Sequence, residues 1–457
     1  MDNTIAAIAT PAGEGGLSII RFSGTSALTI AQKLFRTPAG NPTSKFSSHK
    51  VHLGSIQDPA NGECIDEVIL TWFQAPKSYT GEDIIEISAH GGVFVSSRIL
   101  QLVLDYGARL AQPGEFTRRA FINGRIDLSQ AEAVADLISA ASDKALQSAI
   151  KQLKGHLSKQ VNEVYDRLLS VLSQIEAAID FPEEGLDFQK RAISINEIRQ
   201  VLKKVNILIS TYRQGKIFRE GASVALVGKP NVGKSSLLNA LLQEDRAIVT
   251  PYPGTTRDTL EERIRIKDIH INIIDSAGLR NHPEMVEKEG MQRTRLAISH
   301  ADLVLVIFDR SQPLDENDDL IYKETGNKPK LVIINKCDLL ENWSTDDLKL
   351  KIKSNHPILI SAKEKNGLEA LIDSIHDHVA LVATPGTIFV TRERHRAHLA
   401  DASKSLKTTL ESLEKQLSEE FVATDLVIAM NHLAAILGKS VGEELLDQIF
   451  NSFCIGK

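Results

Sequence analysis

Cysteine is scarce in this chain and widely scattered: Cys64, Cys337 and Cys454 are the only three. An odd number at such separations excludes a disulfide framework and suits a reducing compartment. No CxxC or Cys/His cluster offers a zinc site. An excess of basic charge is missing too. The net charge is −6 and the pI near 6.1, which argues against a nonspecific polyanion binder, so a nucleic-acid partner needs a local basic patch. Apolar runs stay short. Leu303 to Phe308 is among the longest and falls far below the roughly 20 residues that span a bilayer. The opening Met1-Asp2-Asn3-Thr4 lacks the basic-then-apolar order of a signal peptide. Together these absences predict a soluble cytoplasmic protein with no membrane contact. Apolar content of 42 % and charged content of 25 % are ordinary for a globular chain, and 457 residues allow about three domains.

What is present centres on one stretch. Ala222 to Val227 is a short apolar run that reads as a buried strand. It turns through Gly228-x-x-x-x-Gly233-Lys234-Ser235 and enters Ser236 to Leu242, which has helical spacing. Strand, glycine-bounded loop and helix are the context of a phosphate-binding P-loop. The glycines let backbone N–H groups of Asn231, Val232 and Gly233 converge on phosphates. Lys234 reaches the β- and γ-phosphates, Ser235 ligates Mg²⁺, and the helix N-terminus at Ser236 adds a favourable dipole.

The chain changes character around this motif. Before about Gln112, short apolar runs alternate with Gly/Pro turns; Ser18 to Phe22, Val68 to Phe73 and Ile84 to Ser88 read as strands, with a helix over Val93 to Tyr106. Leu128 to Ile179 then carries helical spacing with hardly a breaker until Pro182, and Ile193 to Phe218 follows suit. The helical pattern returns only at Arg392 to Leu417, Thr424 to Leu437 and Glu443 to Phe450. Between lies a complete α/β unit, with strands near Val224, Ile264, Ile271, Leu303, Leu331 and Ile358. A unit whose ends lie close together is what domain insertion tolerates. The sequence therefore predicts a multidomain α+β and α/β protein in which a discontinuous helical domain is interrupted by an inserted P-loop nucleotide domain.

Three further motifs choose the nucleotide. Asp275-Ser276-Ala277-Gly278 follows the strand His270 to Ile274; its aspartate can hold the Mg²⁺ shell and its glycine N–H can sense a γ-phosphate. Asn335-Lys336-Cys337-Asp338 follows Leu331 to Ile334, and the Asp338 carboxylate can accept from guanine N1–H and its exocyclic amine, a pairing adenine lacks. Ser361-Ala362-Lys363 follows Pro357 to Ile360 and would frame the base. Four motifs in this order, each at a strand end, predict GTP. Thr256, in Gly254-Thr255-Thr256-Arg257-Asp258, would complete the Mg²⁺ shell as a switch residue. Leu279, where Ras-like proteins place a water-orienting glutamine, is apolar.

Gly-Lys-Pro-Asn-Val-Gly-Lys-Ser, Gly-Thr-Thr-Arg-Asp, Asp-Ser-Ala-Gly-Leu-Arg, the inserted G domain, Pro113-Gly114-Glu115-Phe116-Thr117-Arg118-Arg119-Ala120-Phe121 and the terminal Cys454-Ile455-Gly456-Lys457 occur together. In this the chain resembles, over its whole length, the bacterial and organellar tRNA-modification GTPase family MnmE, also called TrmE. The resemblance implies an N-terminal folate-binding and dimerisation domain over 1–119, a helical domain over 120–219 and 381–457, and a TrmE-type G domain over 220–380. It implies a homodimer that joins an FAD-dependent partner, MnmG, in a heterotetramer. Together they would place a carboxymethylaminomethyl or aminomethyl group on C5 of the wobble uridine of certain tRNAs. The one-carbon unit would come from a tetrahydrofolate derivative, 5,10-methylene-tetrahydrofolate, with 5-formyl-tetrahydrofolate as an analogue. By motif, folate contacts fall on Arg21, Glu82, Arg125 and Lys457; some relatives carry Lys at position 125, which differs from Arg in geometry. GTP contacts would further include Thr250, Pro251, Tyr252, Pro253, Gly254 and Thr255. The family neutralises the transition state with a potassium ion rather than an arginine finger, which here falls to Asn231, Thr250, Tyr252 and Thr255. By match to the motif, Glu287, three residues before Gly290, orients the attacking water.

Other readings weigh less. Gly438-Lys439-Ser440-Val441-Gly442 matches a nucleophile elbow, but a helical run precedes it and no histidine follows it; it reads as an interhelical turn. Cys454 fits a prenylation box poorly, with Gly456 and Lys457 after it, and alone would read as a buried free thiol. Arg392, Arg394, His395 and Arg396 read first as a solvated face; with Arg118 and Arg119 they are also the candidates for tRNA phosphates. A GTP-dependent RNA or ribosome assembly switch without modifying activity is the alternative function, although the chain shows no KH-type GxxG signature in a suitable context.

Overall fold

The structure is a computed structural model that describes residues 3–43, 45–180, 188–244, 261–267, 269–275, 287–352, 356–379 and 388–457. Two compact units divide the chain. One comprises Met1–Ile138, Ile150–Asn206 and Ala397–Lys457, the other Ser139–Ala149 and Ile207–Arg396.

In the first unit, β1 (Ile5–Ile8), β2 (Leu17–Ser23), β3 (Phe35–Arg36), β4 (Val51–Gln57), β5 (Cys64–Phe73), β6 (Ile84–His90) and β7 (Arg109–Leu110) form one sheet in the order β3-β4-β5-β6-β2-β1-β7. All neighbours are antiparallel except β1 and β7. The alternation in β2 shows how the sheet is sided. Ser18, Ile20 and Phe22 are buried, whereas Ile19 and Arg21 are half-buried and Leu17 is exposed, as expected of a strand with one covered face. Helices Ala27–Leu34 and Val93–Asp105 cover that face, seating Ile30, Leu34, Ile99 and Val103 on Ile20, Phe22, Ile85 and Ile87.

The helical part of this unit is assembled from both ends of the chain. The helix His156–Asp180 buries Leu157, Val161, Val164, Leu168, Val171 and Ile175 at three- and four-residue intervals. It packs on Glu419–Ile436, which buries Val422, Leu426, Ala429 and Leu433. The long helical run of the sequence is in fact three helices, Leu128–Ile138, Asp143–Leu153 and His156–Asp180, of which the second is counted through Ala149 with the second unit. Gly155, at φ +76°, separates the last two without a proline. The run after Ile193 likewise divides, at Thr211, into Phe188–Ser210 and Tyr212–Glu220, the latter counted with the second unit. Pro182 lies outside the described residues.

In the second unit, β8 (Ala222–Val227), β9 (Glu261–Ile266), β10 (Ile269–Asp275), β11 (Leu303–Asp309), β12 (Lys330–Asn335) and β13 (Ile358–Leu359) run in the order β13-β12-β11-β8-β10-β9. All pairs are parallel except β9 with β10. Apolar clusters lie on both faces, and all seven residues of β11 are buried. That explains its apolar run from Leu303 to Phe308. The segments entering and leaving the α/β body run side by side: Val390 N–H donates to Thr211 Oγ1 at 3.1 Å. Gly215 is required where it meets Val390, because a Cβ there would stand 2.2 Å from the Val390 carbonyl oxygen.

Candidate functional site

Three loops meet at the carboxyl ends of the parallel strands, where a doubly wound sheet places its ligands. The first joins β8 to the helix Lys234–Glu244. Its glycines are dictated by space. A Cβ on Gly228 would sit 2.5 Å from the Ile307 carbonyl oxygen, and one on Gly233, at φ +97°, would collide with the side-chain nitrogen of Asn335. Asn231 is exposed at φ +63°, a conformation asparagine tolerates. The Lys234 ammonium folds back over this loop and donates to the Gly228 and Lys229 carbonyls, both at 2.8 Å. Ser235 and Ser236 present exposed side chains at the helix N-terminus. The loop is thus a cradle with a cation above it and a helix dipole beneath, fitted to a phosphate chain.

Asn335, buried at the end of β12, ties the other two loops to the first. Its amide nitrogen donates to the Val232 carbonyl at 2.8 Å, and its amide oxygen accepts from Ala362 N–H at 3.0 Å. Cys337 N–H donates to the Ile360 carbonyl at 3.1 Å, so Asn335 to Asp338 and Ser361 to Lys363 form one wall. The exposed Asp338 carboxylate accepts from Ser361 Oγ at 2.6 Å. That hydroxyl holds it below the usual carboxylate range, so it stays an acceptor at neutral pH. Lys363 is exposed. Asp275 ends β10, and Glu287 opens the helix Glu287–His300. Thr250, Pro251, Tyr252, Pro253, Gly254, Thr255, Thr256, Ser276, Ala277 and Gly278 lie outside the described residues, as do Leu279, Arg257 and Arg280.

In the first unit, Arg21 and Glu86 face each other across β2 and β6, with Arg21 Nε donating to Glu86 Oε1 at 2.7 Å. Arg21 Nη1 also donates to the Gly456 carbonyl at 3.2 Å, and its guanidinium lies over the Phe116 ring. Glu82 accepts from Arg119 Nη1 at 3.0 Å and from Ser23 Oγ at 2.9 Å. Gly81, at φ +81°, lies against the aliphatic stem of Arg125. The loop before Glu82 and the tail before Lys457 therefore meet the sheet near Arg21.

Two family models match the chain: the MnmE helical domain over residues 128–454, and the GTP-binding protein TrmE N-terminus over residues 4–125. The chain belongs to the MnmE family. It is 43 % identical to the tRNA modification GTPase MnmE of Moorella thermoacetica, with all of both chains covered. It is 42 % identical to that of Lacticaseibacillus paracasei, covering all of this chain and 98 % of the relative. Among solved structures, Aquifex aeolicus Era bound to GDP and AlF4− is similar over 40 % of this chain and 66 % of its own, at 27 % identity and a TM-score of 0.29. An N-terminal TrmE domain, a helical domain and a Ras-like P-loop GTPase domain make up the fold, and the chain is a GTP hydrolase acting in tRNA modification. No helix among the described residues is long and apolar enough to cross a membrane.

The structure revises several smaller expectations. Arg119 is fully buried, held by Glu82, Glu115 and the Asn3 carbonyl, so it has no free charge for a phosphate. Arg118 pairs with Asp447 at 2.8 Å. The basic cluster is not a uniform solvated face: His395 is buried, and Arg396 pairs with Glu393 and covers the Tyr212 ring. The Cys454 thiol is exposed rather than buried. Residues 438–442 do form a turn, between Glu419–Ile436 and Glu443–Phe450. Sequence reasoning passed over Asp309 and Lys229, which the structure places at the nucleotide loops. The signal for Asp309 was its position, since it ends β11 as Asp275 ends β10 and Asn335 ends β12.

Proposed function

We propose that this chain is the GTPase half of a two-protein system that builds a carboxymethylaminomethyl or aminomethyl group on C5 of the tRNA wobble uridine. In this reading it works as a homodimer with an FAD-dependent MnmG and draws its one-carbon unit from a tetrahydrofolate derivative. The observation that carries it is the Asn335 bridge. One buried amide fastens the phosphate loop to the wall that presents Asp338, so triphosphate and guanine are read by a single rigid piece.

Phosphates would lie on the N–H groups of Asn231 to Ser236, with Lys234 exchanging two loop carbonyls for β- and γ-oxygens. Asp338 would accept from guanine, with Asn335, Lys336, Ser361, Ala362 and Lys363 around the base. Ser235 and Thr256 would hold magnesium, and Asp275 to Gly278 its outer shell and the γ-phosphate. Asn231, Thr250, Tyr252 and Thr255 would hold potassium; the exposed left-handed Asn231 supports its share. The two ions supply positive charge beside the transferred phosphoryl group. Glu287 orients the attacking water, a task Leu279 cannot perform. Folate would rest on Arg21, Glu82, Arg125 and Lys457; the contacts of Arg21 with Gly456, of Ser23 with Glu82 and of Gly81 with the Arg125 stem support that assignment. The division into 1–119, 120–219, 220–380 and 381–457 belongs to the same reading.

Mass spectrometry of tRNA nucleosides from a deletion strain, with and without the chain restored, tests the proposal. Loss of C5-modified wobble uridines that returns on complementation is the expected result. Intact tRNA with defective ribosomal subunits would favour an assembly switch instead.

A further inference from the structure

Each of two lysines inside the nucleotide motifs is gripped by a carboxylate from outside them. Lys336 takes a left-handed backbone, φ +62°, which a lysine seldom adopts. Its ammonium pairs with Asp309 Oδ2 at 2.7 Å. Asp309 is itself fixed, its other oxygen accepting from Ser311 N–H at 2.8 Å and Ser311 Oγ at 2.7 Å. The buried Trp343 indole donates to the Asp309 carbonyl at 3.0 Å and the Gln312 carbonyl at 2.8 Å. Burial alone would raise the Asp309 pKa, yet Lys336 and Ser311 hold it below the ordinary range.

Lys229, one residue into the P-loop, repeats the pattern. Its ammonium lies 2.8 Å from Asp318 Oδ2 and 3.0 Å from Asp315 Oδ2. Asp318 is buried, and together with Asp315 it forms the capping box that opens the helix Glu316–Glu324. The Lys229 carbonyl is one of the two that receive Lys234. The segment from Asp309 to Asp318 thus reaches both walls of the site without carrying a nucleotide motif.

We infer that Asp309 and Asp318 are positioning residues that hold Lys336 and Lys229 in register, so that nucleotide affinity depends on them while the chemical step does not. This rests on the proposed assignment of those lysines to the GTP site. Breaking a charge-assisted pair that is mostly desolvated leaves a lysine free to leave its strained place.

The test uses the full-length protein, titrated with fluorescent GDP and assayed for GTP turnover. Asp309→Asn keeps the shape and the Ser311 contacts but discards the charge. It should raise the GDP Kd and the GTP KM about tenfold, leave kcat within about twofold, and keep guanine preferred over xanthine. Asp309→Glu should recover part of the affinity, and Lys336→Met should add little once Asp309→Asn is present. Asp318→Asn should weaken GDP about three- to fivefold. If Asp309→Asn lost its native circular dichroism, Ser311→Ala would carry the test, with a two- to threefold weaker GDP Kd expected as an order of magnitude and an unchanged one counting against the inference. Wild-type affinity in Asp309→Asn and Asp318→Asn overturns the inference provided Asp338→Asn still switches base preference. Should Asp338→Asn change neither affinity nor preference, the assignment of the site itself falls.

Discussion

The two sheets of this molecule solve opposite problems. In the parallel sheet, β8, β11 and β12 are almost wholly buried; apart from the half-buried Ser223 and Lys330 near their amino ends, their polar side chains stand at the carboxyl ends, at Asp309 and Asn335. The mostly antiparallel sheet buries one face, so it can carry charge along its strands, as Arg21 opposite Glu86 shows. One architecture concentrates its chemistry in loops, the other on a surface and in a buried ionic knot around Arg119. Substitutions at the strand ends should therefore change function with the fold intact, and substitutions in the knot should change stability first.

The largest effect should come from the knot. Arg119→Met leaves Glu82 and Glu115 facing a buried apolar chain and should cost about 3–5 kcal/mol. Denaturant unfolding followed by the fluorescence of Trp72, in β5 of this sheet, with Trp343 of the other unit replaced by Phe in both proteins, measures it. A variant as stable as the parent would mean the knot is no more than a surface pair.

Around the nucleotide loops the expected losses are in turnover and nucleotide affinity rather than in stability. Glu287→Ala should lower kcat by roughly 10²-fold or more with nucleotide affinity little changed, read by phosphate release at saturating GTP. Normal turnover would remove Glu287 from the mechanism. Asp338→Asn should weaken GTP by about tenfold or more and favour xanthosine triphosphate, since the acceptor becomes a donor; competition binding with the two nucleotides decides. GTP turnover should also be several-fold faster in potassium than in sodium at equal ionic strength, and Asn231→Ala should flatten that difference. Equal rates in both salts would direct attention to Arg257 and Arg280.

The smallest effect concerns acid. Burial would raise the Glu115 pKa, but Arg109, the Gln112 N–H and Arg119 together lower it below the ordinary value of 4.5. A depressed carboxyl contributes stability above its unfolded pKa and loses it as pH falls through the folded one. Glu115→Gln should therefore show a shallower loss of stability below about pH 4.5, by about 1 kcal/mol. Parallel acid curves for the two proteins would assign the acid response to other groups.

Local chemistry determined much of this protein. A phosphate loop needs glycines where backbone approaches backbone, and a parallel strand needs an unbroken apolar run. The stretch 222–242 and the strands near Leu303 and Leu331 were accordingly legible as one-dimensional patterns. Insertion of the α/β unit was legible too, because helical periodicity stops and resumes. Short edge strands such as β3 and β7 were not, since two residues carry no period and exist only through the neighbour that pairs with them. Nor could spacing along the chain show that Gly155 and Thr211 divide helical runs. Above all, tertiary structure decided the charges. Arg119 and Arg118 look alike in sequence, yet one is sealed in the core by Glu82, 37 residues before it, and the other reaches Asp447. Asp309 and Lys336, 27 residues apart, become a pair only because β11 and β12 lie side by side. A charge acquires its role from the partner folding brings to it, and that partner is usually distant in sequence.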